Sequence, residues 1–99
     1  MRGVKSDLPW QEGPDWGKAE GVVAVLDIDG HHFEVKKRPY RYPEHYVKAA
    51  GYNRPPNTSR YQLVVDGQER GSESPKLYSV IAAADAMVSW ARLSEEMQP

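Results

Sequence analysis

The chain has 99 residues, is 39% hydrophobic and 27% charged, carries a formal net charge of −1, and contains no cysteine. That length makes one domain of modest stability. The absence of thiols excludes a disulfide framework or a thiolate metal site, and the near-zero net charge excludes electrostatic nucleic-acid binding by the chain as a whole.

Charge is laid out unevenly. Residues 1–30 sum to −3, residues 31–60 to +5 and residues 61–99 to −3, so a basic middle lies between acidic ends. The start, MRGVKSDLPW, has no apolar run like that of a secretory leader. The longest apolar runs, Val22–Leu26 and Val80–Ala84, are too short to span a bilayer. A cytoplasmic protein without a membrane segment is the expectation.

Residues 1–20 show no periodicity. Leu8-Pro9-Trp10 and Gly13-Pro14-Asp15-Trp16-Gly17 are turn and loop chemistry. A loop-rich segment over 1–20 therefore precedes a single domain at 21–99. Trp10 and Trp16 either close the core over an open sheet face or supply an exposed anchor for a partner, a role for which tryptophan is enriched.

Val22–Ile28 is β-branched, bounded by Gly21 and Gly30, and reads as a strand. Asp29-Gly30 predicts a two-residue hairpin turn. The register that follows sets Ile28 against His31, Leu26 against Phe33, Ala24 against Val35 and Val22 against Lys37. Val23, Val25 and Asp27 fall on the other face, opposite Lys36, Glu34 and His32. Pro39 and Pro43 end the second strand, and Pro43–Gly51 reads as a short helix with Glu44 at its positive end and Gly51 just past its C-terminus.

Arg60–Val65 is a third strand, and Asp66-Gly67 repeats the turn chemistry. Around Gln68–Ser72 a fourth strand has no apolar residue, as suits a sheet edge protected from pairing. Ser74-Pro75 or Ser79 is placed to start the last helix. Leu77, Val80, Ile81, Ala84, Met87, Val88 and Ala91 recur at helical spacing in one apolar stripe, with Trp90 at its edge. The opposite side, Ala82, Ala86, Ser89 and Leu93, lacks the lysines and glutamates usual on an outward face. Alanine is a strong helix former in its own right, and the same smoothness also suits a homodimer contact. These elements predict an α+β fold: an antiparallel sheet of three to four strands in β-β-α-β-β-α order, both helices on one face, the C-terminal amphipathic helix packed across it.

The chemistry-bearing residues are few. Asp27-Ile28-Asp29-Gly30-His31-His32 begins like a calcium loop, but Arg38 stands where the bidentate glutamate belongs. His31 and His32 are strand neighbours and point to opposite faces. Asp27 and His32 make a cross-strand pair for which a surface ion pair is sufficient explanation. No phosphate-binding glycine motif is present. No catalytic residue, metal ligand or cofactor site is assigned, and a non-enzymatic protein is expected.

The basic middle is the stronger lead. Arg38, Arg41, Lys48, Arg54 and Arg60 interleave with Tyr40, Tyr42, Tyr46, Tyr52 and Tyr61. Arginine and tyrosine together mark protein-binding surfaces, and the same combination over 36–61 suits a nucleic-acid-binding module in which bases stack on rings. The candidate partner-binding residues are Arg38, Tyr40, Arg41, Tyr42, Tyr46, Lys48, Tyr52, Arg54 and Arg60. Tyr61–Gly67, followed by Ser74–Leu77 and the alanine-rich Ala82–Ala86, resembles in style the small accessory proteins of tailed phages of actinobacteria. That resemblance implies a small single-domain protein acting by binding a host or phage protein. The strand-turn-strand-helix order is also similar to double-stranded-RNA-binding domains and to the sheet-plus-helix arms of integrases, without the dense basic run with which the former open their last helix.

Overall fold

The computed structural model describes residues 1, 4–51 and 58–97. Tyr52 and Arg54 of the candidate surface lie outside the described residues. The elements are β1 (Gln11–Glu12), β2 (Gly21–Ile28), β3 (His31–Tyr40), α1 (Glu44–Ala49), β4 (Thr58–Val65), β5 (Gln68–Ser74) and α2 (Leu77–Met97). The strands form one antiparallel sheet in the order β1-β2-β3-β4-β5. The fold is thus α+β with an antiparallel sheet and a C-terminal helix. Five strands replace the three or four expected, because Gln11-Glu12 pairs with Ala24 and Val25 at the sheet edge. Two exposed polar residues carry no period for a sequence reading to detect.

Both Asp-Gly pairs make the predicted turns. Asp29 and Gly30 take φ of 52° and 79°, Asp66 and Gly67 49° and 83°, the positive values a type I′ hairpin requires. Ile28 opposes His31, Leu26 opposes Phe33 and Ala24 opposes Val35. Beyond Ala24 the register shifts, so Val22 opposes Lys36 instead of Lys37. The bulge carries Val23 into the core, where it is 3% exposed, although strict alternation assigned it to the opposite face.

The core lies between the sheet and α2. Leu26, Phe33, Val35, Leu63 and Val65 meet Val80, Ile81, Ala84 and Val88. The helix lies against β3, β4 and β5. Met1, Val4, Leu8, Trp10 and Trp16, from the segment that leads into β2, pack against the same core. Ser74 Oγ accepts the Lys76 N–H at 3.2 Å, but the helix starts at Leu77, after both Ser74 and Pro75. Of its apolar stripe Val80, Ile81, Ala84 and Val88 are buried and Leu77 is partly buried, whereas Met87 and Ala91 are exposed.

Both helices are expected on one face of the sheet, and here the structure departs from the expectation. β3 and β4 stay paired as far as Tyr40 and Thr58, while β2 ends opposite Lys37 and β5 opposite Tyr61. Arg38–Tyr40 and Thr58–Arg60 therefore pair only with each other and project as a two-stranded arm. The connection containing α1 leaves from the end of this arm, and among the described residues no strand or helix packs closely on α1. The molecule is accordingly elongated, 59 × 27 × 24 Å, with a radius of gyration of 16.2 Å against about 13 Å for a compact chain of this size. Ala50 closes α1, and Gly51 follows it with φ of 78°, as its placement past the helix end predicted.

Candidate partner-binding surface

Alternation along β3 and β4 divides the side chains. Val35, Lys37 and Pro39 fall on the helix side, Lys36, Arg38 and Tyr40 on the open side, where Gln62 and Arg60 of β4 join them. On the arm this arrangement gathers Tyr40, Tyr42, Tyr46 and Arg60. The Arg60 guanidinium sits 4.4 Å from the centre of the Tyr40 ring and 6.0 Å from that of Tyr42. Tyr40 meets Tyr42 edge-on with centroids 5.2 Å apart, and Tyr42 stacks on Tyr46 at 4.9 Å. A strand, a linker, a helix and a second strand thus meet in one aromatic–cation cluster. A bare two-strand ribbon is marginal in water, and these contacts hold it and α1 together. Tyr46 remains 46% exposed.

Two of the cations around the cluster, Arg38 and Lys48, are paired with carboxylates. Arg38 donates from Nε and Nη2 to Glu73 at 2.5 and 2.7 Å, a bidentate pair. The hydrogen bond to Glu73 raises the Arg38 pKa, and the same bond from Arg38 lowers that of Glu73. Lys48 lies 3.4 Å from Glu44 one turn back on α1. Arg41 is exposed and joins no ion pair among the described residues. Beside Arg38 a groove of about 280 Å³ is lined by Lys36, Lys37 and Arg38 and by Glu20, Glu69 and Glu73, three charges of each sign. Glu73 escaped the sequence reading because the fourth strand is expected to end near Ser72; β5 runs on to Ser74, with a two-residue register shift around Gly71 (φ 73°).

The far end of the sheet is acidic and histidine-bearing. His32 Nδ1 is 2.5 Å from Asp27 and its Nε2 2.8 Å from Glu34, so both ring nitrogens face carboxylates. The bond to Asp27, then that to Glu34, raises the His32 pKa. His31 turns to Asp66 at 2.6 Å, while the other Asp66 oxygen accepts the His32 backbone N–H at 2.8 Å. Those bonds, the backbone one foremost, lower the Asp66 pKa. The two histidines thus serve separate carboxylates, and among the described residues no three His, Asp or Glu side chains are placed to hold a metal ion.

Trp10 and Trp16 are both half-buried against the core. The Trp10 indole N–H is engaged by Asp85. Among the described residues the most exposed large apolar side chain is instead Trp90, at 69%. Its position at the edge of the helical stripe was legible in the sequence, but not that α2 leaves its last turns exposed. Ala82, Ala86, Ser89 and Leu93 are exposed beside it. Among the described residues no helix is long and apolar enough to cross a membrane. Compared with models of protein families, with curated proteins and with solved structures, the chain matches none.

Proposed function

We propose that this chain is a small non-enzymatic binding protein whose partner is another protein, engaged through Tyr40, Tyr42, Tyr46 and Arg60 on the arm. One observation carries the reading: an aromatic–guanidinium cluster stands at the end of a projecting ribbon, two of whose neighbouring cations, Arg38 and Lys48, are paired with carboxylates. Tyrosine and arginine give a large, stiff contact area with hydrogen-bonding tips. The Arg38–Glu73 and Lys48–Glu44 pairs and the balanced groove reduce the positive field that would attract a phosphate backbone. A phage-type accessory role, acting on a host or phage protein, fits this reading.

The test is an affinity capture from native host lysate with wild type and with a Tyr42→Ala/Arg60→Ala variant. Loss of a specific protein from the variant's eluate is the expected result; retention of the same partners places the surface elsewhere. Short single- and double-stranded DNA, titrated with salt, distinguishes the nucleic-acid reading. Tight binding that weakens steeply with salt would replace the protein partner with nucleic acid.

A further inference from the structure

Arg38 and Arg60 stand directly opposite each other where β3 pairs with β4 on the arm. Like charges in that relation repel. One carboxylate serves the pair, and Arg38 takes both of its oxygens: Glu73 accepts from Nε on one and from Nη2 on the other. Glu73 feels Arg60 only as a through-space charge. Arg60 is half-buried, and its guanidinium rests 4.4 Å from the centre of the Tyr40 ring and 6.0 Å from that of Tyr42. Among the described residues it joins no ion pair, and the arginine side-chain hydrogen bonds belong to Arg38 and Arg92. The sequence 52–57, YNRPPN, contains no acidic side chain.

We infer that Arg60 is a receptor for a carboxylate of the protein partner, presented by a glutamate or aspartate side chain beside an apolar group. The inference rests on the arm being the protein-binding surface. Two guanidinium groups face each other over one carboxylate, so one positive charge is in surplus at this point of the ribbon. Ring stacking orients the surplus guanidinium and leaves the donors in its plane without an anion. A planar fork so held matches a planar carboxylate through two parallel hydrogen bonds. Partial removal from water strengthens that bond and makes the unpaired charge costly. The apolar neighbour follows from the rings. Tyr42 stacks on Tyr46 with centroids 4.9 Å apart, and Tyr46 is 46% exposed, so a flat platform adjoins the guanidinium. A partner carboxylate on Arg60 gives each member of the cross-strand pair its own anion and relieves their repulsion.

Two capped peptides test this with the full chain: acetyl-Glu-Phe-Glu-amide, and acetyl-Gln-Phe-Gln-amide, which keeps the ring and removes the charge. NMR titration of the wild type reads the Arg60 Nε–Hε resonance directly, so the result does not depend on a variant that disturbs the arm. The glutamate peptide is expected to shift that resonance together with the Tyr42 and Tyr46 rings. The glutamine peptide should bind at least about tenfold more weakly, having lost a charge-assisted pair. Arg60→Lys keeps the charge without the fork and should also bind the glutamate peptide more weakly. Glu73→Gln releases Arg38 beside it and should bind that peptide more tightly. Equal affinity for the two peptides overturns the inference, as does Arg60→Lys binding as well as wild type. Oligo-dT shifting the same resonance while the glutamate peptide leaves it unmoved replaces the carboxylate with phosphate and overturns it too. In the lysate capture, partners lost by Tyr42→Ala but kept by Arg60→Gln sink the carboxylate and leave the arm as the surface. Partners kept by both variants move the surface elsewhere.

Discussion

Asp85, on the helix, receives the Trp10 indole N–H at 2.9 Å on one oxygen and the Ser6 hydroxyl at 2.6 Å on the other. Residues 75 and 79 positions away in the chain are thereby pinned to the middle of α2. Asp85→Ala removes both acceptors and leaves a half-buried indole N–H unpaired. The expected loss is about 1–3 kcal/mol, with Trp10→Phe losing about 1 kcal/mol. Urea denaturation followed by tryptophan fluorescence measures both.

His32 between Asp27 and Glu34 makes the fold sensitive to pH. Its raised pKa means that the folded state binds the proton more tightly than the unfolded chain. The stabilisation is complete below the ordinary histidine value of 6.5 and is lost as pH rises through the raised folded value. Asp66 works in the opposite sense. Its lowered pKa stabilises the fold above the ordinary value of 3.8, and that contribution is lost as pH falls through the folded value. In an NMR titration the His32 ring should show a midpoint above 6.5. Asp27→Asn should bring it down further than Glu34→Gln, since the Asp27 bond is the larger cause.

Gly13 is buried where the N-terminal segment crosses β2. Its N–H donates to the Val23 carbonyl at 2.9 Å, and a Cβ at this position would lie 2.4 Å from the Val22 carbonyl oxygen. Backbone cannot swing aside as a flexible side chain can. Gly13→Ala should therefore cost about 1–3 kcal/mol and strip hydrogen-exchange protection from the Gln11–Asp15 edge while β3 and β4 keep theirs. Equal loss of protection in all strands would show that the edge is not a separable unit.

Two residues of α2 separate packing from surface. Ile81 is 1% exposed and Trp90 69%. Ile81→Ala is expected to cost about 2–5 kcal/mol. Trp90→Ala should change monomer stability by no more than about 0.5 kcal/mol, although it removes far more side chain. Urea midpoints at low protein concentration compare them.

Local chemistry was enough for much of the architecture. Two Asp-Gly turns, the alternation flanking each, and the helical recurrence of Val80, Ile81, Ala84 and Val88 depend on near neighbours and φ preferences, so they are written in the order of residues. The tyrosine–arginine segment and the smooth helix side were legible on the same terms, as composition. Their arrangement was not. That Glu73 clasps Arg38, that Val23 turns inward, and that α1 rides at the end of an arm all follow from where strand pairing slips or stops. Those points are decided by the competition between backbone ladders and core packing over the whole sheet. Trp10 is covered because the N-terminal segment folds back onto the core and its indole meets Asp85, whereas Trp90 lies on the outward side of α2 although Val88 beside it is buried, and only tertiary packing decides this.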